Sequence, residues 1–241
     1  MVIVARHQKE LDEVAKEIHD RYDTDVEVVA ADLSKQTSAA KVYEAATKKG
    51  PIEVLINNAG FGDMHYFKDA DTDKLRNMIN LNVLTLTNLS RLAVADMTQR
   101  GSGKILNVAS TAAYMPGPMM AVYHATKSYV MSLSVAIAEE LKGSGVTVTV
   151  LAPGVTRTEF QKTADMEDCQ IVKNRDRMMT AYEVAHFGYE AMMDGKTIAV
   201  PGPQNKIVTA LADIVPRSVS AKALHSIYKR GTKTQEQEES V

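Results

Sequence analysis

A serine thirteen residues ahead of a tyrosine, with a lysine four residues after it, is the pattern in this chain best suited to chemistry: Ser110, then Tyr123-His124-Ala125-Thr126-Lys127. Residues four apart on a helix share a face, so the Lys127 ammonium can sit beside the Tyr123 phenol or beside a ligand the phenol also touches. A phenol with its usual pKa of about 10 is a poor acid–base catalyst near neutrality. A cation about 4 Å away, at an effective dielectric near 20, contributes roughly 4 kcal/mol, about a thousandfold in the ionisation constant. That would bring the phenol into the catalytic range. Ser110 supplies a hydroxyl able to hydrogen-bond a carbonyl or alcohol oxygen as charge grows on it. Alone, a Tyr-x-x-x-Lys pair also reads as a core tyrosine beside a solvated lysine. Its setting favours the chemical reading, because the pair opens a helix after the turn Pro116-Gly117-Pro118 and Ser110 falls at a strand end.

The elements around these residues alternate. Val2 to Ala5 predicts a strand, and Leu11, Val14, Ala15 and Ile18 a helix. Val26 to Ala30 predicts a second strand, ending at Asp32-Leu33-Ser34, where Asp or Ser can cap the helix carrying Ala39, Val42, Tyr43 and Ala46. Val54 to Ile56 leads into Asn57-Asn58-Ala59-Gly60, and Leu75 to Met97 reads as one long helix. Strands follow at Lys104 to Val108 and Val146 to Leu151, with a helix from Tyr123 to Leu141 between them and a last strand at Thr197 to Val200. Apolar strands separated by amphipathic helices predict an α/β fold, a doubly wound parallel sheet covered on both faces, Rossmann-like and three-layered. Ligands in that class bind beyond the carboxyl ends of the strands. Asp32, Asn57 to Gly60, Ser110 and Pro153 to Thr158 fall there. The stretches without an expected strand, 159–195 and 204–241, read as a substrate lid and a helical tail of one domain spanning 1–241.

These residues resemble the classical short-chain dehydrogenase/reductase family, whose Ser, Tyr and Lys have this spacing, and the likeness runs over nearly the whole chain. The resemblance implies an oxidoreductase that interconverts a ketone or aldehyde and an alcohol by hydride transfer, with Asn82, Ser110, Tyr123 and Lys127 catalytic. Asn82 matches a helical Asn that holds a water in a proton relay to the Lys, with its neighbour Asn80 as a surface-polar alternative. Asn58, Ala59 and Gly60 belong to a tetrad similar to the family's Asn-Asn-Ala-Gly signature beside the adenosine ribose. Asp32 and Leu33 look like its adenine-contacting pair, and a plain helix cap is the other reading of Asp32. Pro153, Gly154, Val155, Thr156 and Thr158 resemble the segment around the nicotinamide, where Gly154 permits close backbone approach. Tyr123 and Lys127 also count among the cofactor contacts. The first strand ends in Ala5-Arg6-His7 with no acidic residue to hold a ribose 2′-hydroxyl, so Arg6 against a 2′-phosphate favours NADP(H) over NAD(H). The alternative is that Arg6 only caps a helix start.

One signature of the family is absent: its opening strand and Thr-Gly-x-x-x-Gly-x-Gly turn, whose backbone N–H groups meet the pyrophosphate. The sequence opens at what resembles the second strand, so two inner sheet edges are expected without a neighbour. A segment missing upstream is the favoured explanation, with intact-mass analysis of the natural protein as its test. An inactive member of the fold, serving as a nucleotide sensor or scaffold, is the alternative function. Balanced charge, 28 Lys and Arg against 30 Asp and Glu, argues against nucleic acid as a partner and for a small, apolar carbonyl or alcohol substrate. One cysteine, Cys169, and no secretory pattern point to the cytoplasm, and no apolar run reaches the roughly 20 residues of a membrane span. The six histidines show no metal-ligand spacing, and His124 reads as a pocket wall. The stripe Ile207, Ala210, Leu211, Ile214 and Val215 is read as a subunit interface or substrate cover ahead of a membrane-surface helix. The family resemblance implies a homodimer or homotetramer formed through the helices at Leu75 to Met97 and Tyr123 to Leu141.

Overall fold

The computed structural model describes residues 1–167, 169, 172, 178–212 and 214–228. Strands β1 (Val2–Ala5), β2 (Glu27–Ala30), β3 (Val54–Asn57), β4 (Gly103–Val108), β5 (Val146–Leu151), β6 (Thr156–Arg157), β7 (Met179–Thr180) and β8 (Ile198–Ala199) are connected mostly by helices. These are α1 (Gln8–Tyr22), α2 (Ser38–Thr47), α3 (Thr72–Ile79), α4 (Leu86–Arg100), α5 (Ala121–Glu140), α6 (Phe160–Thr163), α7 (Ala181–Met193), α8 (Pro203–Ala212) and α9 (Arg217–Tyr228). Every pairing is parallel: β1 with β2, β3-β4-β5-β8 in that order, and β6 with β7. Among the described residues β1 has no neighbour but β2, and β3 none but β4.

The period-two alternation of a strand sorts the core. On β4, Ile105 packs with Ala93 and Met97 of α4, whereas Leu106 packs with Val184, Ala191 and Met192 of α7. On β5, Val148 joins the first cluster and Leu151 the second. The sheet centred on β4 and β5 is therefore covered on both faces, the three-layer arrangement expected.

Three details differ from the sequence expectation. The long helix from Leu75 is interrupted by a π-helical stretch, Asn80–Thr85, so α3 and α4 are separate elements. Asp32 does not cap α2, whose first residue is Ser38; it accepts hydrogen bonds from the Ser34 N–H (3.0 Å) and Ser34 Oγ (2.7 Å), closing a local Asx turn. The segment 159–195 is not strand-free: it holds β7, and α7 is a core helix on the sheet rather than part of a cover. Of the tail expected over 204–241, α8 and α9 lie within the described residues, and 229–241 lie outside them.

Candidate active site

Strand β4 ends at Val108, and the chain turns over Ser110 into a 3-10 turn, Thr111–Tyr114. Ser110 caps that turn: its Oγ accepts from the Ala112 N–H (3.1 Å) and donates to the Pro153 carbonyl (3.3 Å), tying the end of β4 to the loop after β5. Tyr123 and Lys127 lie in the first two turns of α5, and both are buried. The Lys127 ammonium donates to the Val108 carbonyl (2.8 Å) and stands 5.8 Å from the centroid of the Tyr123 ring. The structure thus brings Ser110, Tyr123 and Lys127 together at the carboxyl end of β4.

The electrostatics run against the expected drift of the phenol toward neutrality. Burial pushes Tyr123 up to about 12, and a hydrogen bond with Ser110 only partly opposes it. Burial also pulls Lys127 down to about 8. Removal of water therefore dominates at both groups, and the lysine does not offset it at the phenol. Among the described residues no carboxylate pairs with Lys127. An ammonium 5% exposed with one carbonyl acceptor is an expensive arrangement, fitted to a ligand that brings further acceptors.

Asn82 stands in the π stretch, a feature found often at functional sites because the extra residue re-aims a side chain. Its Nδ2 donates to the Phe61 carbonyl (3.0 Å) and Thr126 Oγ1 (3.2 Å), and its Oδ1 accepts from the Phe61 N–H (3.2 Å). A side chain on Gly60 would meet Asn82 Oδ1 at 3.1 Å and Lys127 Nζ at 3.4 Å. Glycine thus lets the loop after β3 lie close against the Asn and Lys, where a larger residue would crowd the Asn82 side chain. Asn57, three residues before Gly60, is buried and braces the sheet, donating to Asn107 Oδ1 (2.8 Å) and Ser90 Oγ (3.1 Å). Asn58, Ala59 and Gly60 are exposed at the strand end, open to a ligand.

Arg6 and Asp32 fall just past the ends of β1 and β2. Asp32 is held below the ordinary carboxylate range by its bonds from Ser34, with smaller help from the Lys35 and Arg6 charges. Leu33 is buried, and its carbonyl accepts from Thr85 Oγ1 (2.6 Å), which links this corner to the π stretch. After β5, Pro153 to Thr158 form a loop and the short β6, where Thr156 Oγ1 donates to the Gly154 carbonyl (3.0 Å) and Thr158 Oγ1 accepts from the Phe160 N–H (3.2 Å). Val155 packs against the apolar cluster around Tyr123. The close approach at Gly154 is to the protein itself: a Cβ there would lie 2.4 Å from Asn205 Oδ1 on α8.

Further groups close the site, and of these Met64, Met166 and the Asp63–Lys74 pair were missed in the sequence. Phe160, at the start of α6, lies 5.4 Å from the Tyr123 ring, and Met64, Met120 and Met166 complete an apolar surround. His124 is buried, with Nδ1 2.6 Å from the Met115 carbonyl and Nε2 3.1 Å from the Tyr228 hydroxyl on α9. Burial holds its pKa below the ordinary histidine value. Buried Asp63 accepts from Lys74 Nζ (2.5 Å) and contacts His65 Nδ1 (3.1 Å), fixing the loop that follows Gly60. Partners far apart in sequence, such as His124 and Tyr228, leave no local spacing by which to find them. Among the described residues no cluster of His, Cys, Asp and Glu could hold a metal, and no helix is long and apolar enough to cross a membrane.

A family model described as short chain dehydrogenase matches residues 1–168. An uncharacterized oxidoreductase, YvrD, of Bacillus subtilis (strain 168) is 37% identical over 159 residues, 66% of this chain and 60% of that protein. The very-long-chain 3-oxoacyl-CoA reductase of Anas platyrhynchos is 31% identical over 166 residues, 67% of this chain and 53% of that protein. The chain thus matches little more than half the length of these relatives. Among solved structures, a short-chain dehydrogenase from Sphingobium yanoikuyae in complex with NADPH superposes with a TM-score of 0.77 at 26% identity, covering 92% of this chain and 89% of that one.

Proposed function

This chain belongs to the short-chain dehydrogenase family, and on that premise we propose that it reduces an apolar ketone or aldehyde, or oxidises the corresponding alcohol, with NADP(H). The observation that carries this reading is the buried Lys127 ammonium, set behind Tyr123 and Ser110 with no carboxylate partner among the described residues. Lys127 and Tyr123 would hold the ribose next to the nicotinamide, with Pro153, Gly154, Val155, Thr156 and Thr158 along the ring. Asn58, Ala59 and Gly60, then Asp32 and Leu33, would border the adenosine. The bound dinucleotide supplies hydride, and the protein does the rest.

For reduction, Tyr123 gives its proton to the carbonyl oxygen. A phenol raised to about 12 is wholly protonated at neutral pH, which is the form an acid needs. Ser110 turns its hydroxyl from the Pro153 carbonyl to the substrate oxygen and stabilises the charge growing there. Asn82 fixes the loop beside Lys127 and passes the replacement proton inward through a water. Met64, Met120, Met166 and Phe160 line the substrate space, and residues 159–166 act as its lid. Arg6, past β1, takes the 2′-phosphate. A cytoplasmic setting and pairing through α4 and α5, where Leu84 just ahead of α4 and Tyr129 are exposed, complete the reading.

The test is oxidation of NADPH and of NADH by the full chain with a panel of apolar ketones and aldehydes. Alcohol formation with KM lower for NADPH is expected. Equal KM values would reject the cofactor assignment. Binding of the dinucleotide without turnover on any carbonyl compound would favour a nucleotide-sensing role.

A further inference from the structure

Helix α8 is built inside out. A surface helix ordinarily turns its apolar stripe to the core and its polar face to water. Here the inward side is small or polar: Thr209 is 5% exposed, Asn205 donates to the Pro201 carbonyl (2.7 Å) and sits against Gly154, and Ala212 is half-buried. The outward side carries Ile207 and Leu211, one turn apart and 61% and 54% exposed, with Val208 beside them. Ile214, in the turn after the helix, is 80% exposed and continues the ridge, and Val219 on α9 is also open. Ile207, Leu211 and Ile214 thus stand open to solvent along the outer side of α8 and the turn after it.

The charges around this ridge are one-sided. Between Pro203 and Tyr228, the span of α8 and α9, the sequence holds Lys206, Arg217 and Lys222 against a single acid, Asp213, in a chain whose net charge is −2. Lys206, Arg217 and Lys222 are exposed, and none pairs with a carboxylate among the described residues. A two-fold contact between copies would bring this basic ridge against itself, so its charges oppose that use. An apolar stripe with exposed cations on its own helix and on α9 instead suits a surface that is apolar beneath and anionic at its face.

We propose that α8 and the turn after it seat the protein on an anionic phospholipid bilayer, with Ile207, Leu211 and Ile214 entering the headgroup boundary and Lys206, Arg217 and Lys222 meeting lipid phosphates. Because α8 touches the loop at Gly154 through Asn205, a seated molecule holds the end of its site close to the lipid. The inference does not depend on the reaction proposed above.

The experiment is co-sedimentation of the full chain with vesicles of phosphatidylcholine alone, or with roughly one third phosphatidylglycerol. Salt is set at about 0.1 M and about 1 M, where the Debye length falls from about 10 to about 3 Å. Binding to the anionic vesicles at low salt is expected, about tenfold or more weaker on neutral vesicles or at high salt. Ile207→Glu/Leu211→Glu should abolish it with an unchanged melting profile, because both positions are exposed. Ile214→Glu, outside the helix, gives the same readout should the double variant fail to fold. Arg217→Gln/Lys222→Gln should weaken binding about tenfold. Wild type remaining in the supernatant, or ridge variants that sediment like wild type, would overturn the proposal. So would a dimer in sedimentation velocity that Leu211→Glu dissolves, without vesicle binding, which would assign the ridge to a second copy.

Discussion

Two of the three sheets among the described residues stand in contrast. In the four-stranded sheet, β4 has neighbours on both sides, its residues alternate between two helical layers, and its end carries Ser110 against the buried pair Tyr123 and Lys127. In the sheet of β1 and β2, each strand has one neighbour among the described residues, and their residues are at most half-buried. The edge strand β3 of the larger sheet exposes Ile56 to 49%. The proposed chemistry thus occupies the rigid half, and the proposed adenine-side contacts, Arg6, Asp32 and Leu33, the loosely supported half. Precise placement of a proton donor needs the first; a nucleotide's outer end can be captured, and ordered, by the second.

The largest effect expected from this contrast is in the rigid half. Lys127→Met should cut turnover by about a thousandfold or more. It should also raise the melting temperature, because a buried ammonium with one carbonyl acceptor is replaced by an apolar chain of similar shape. Steady-state assay beside thermal melting checks both signs, and a fall in both would show Lys127 to be structural. Next in size, Leu106→Ala on β4 should cost about 2–5 kcal/mol in a denaturant titration, whereas Val28→Ala on β2 should cost about 1 kcal/mol. Equal costs would remove the contrast. Smaller still, Arg6→Ala should raise KM for NADPH about tenfold and leave kcat and the KM for NADH nearly unchanged.

The smallest expected effect concerns pH. His124 is buried with its pKa held below the ordinary 6.5 by desolvation. The unfolded chain therefore takes up this proton first, and the stability His124 contributes is full above 6.5 and falls as pH drops through 6.5 toward the lower folded value. Melting from about pH 8 to about pH 5 should show a steeper loss in wild type than in His124→Gln.

The same contrast explains what could be read from sequence. Ser110, Tyr123 and Lys127 were legible because their relation is local, one strand end and one helix face. The β4 and β5 strands were legible because a doubly covered sheet leaves apolar runs. The π stretch at Asn80–Thr85 was not, since its residues keep the same helical pattern and only a contact with the loop at Phe61 selects the extra residue. The packing of Gly154 against Asn205 was not legible, because that neighbour comes from a helix about fifty residues on. The drift of Tyr123 toward neutrality failed for a related reason: spacing told that the cation was near, but not that burial would act on both groups. The apolar stripe on α8 was visible in sequence, yet only the structure shows that it faces outward.

The central claim is that Tyr123 is the proton donor of a carbonyl reduction. Its most direct test is Tyr123→Phe, which keeps the ring against Phe160 and removes one hydroxyl. The account predicts NADPH binding near wild type, an unchanged melting profile, and turnover lower by about a hundredfold to ten-thousandfold. Turnover equal to wild type in a folded, NADPH-binding Tyr123→Phe protein would contradict it.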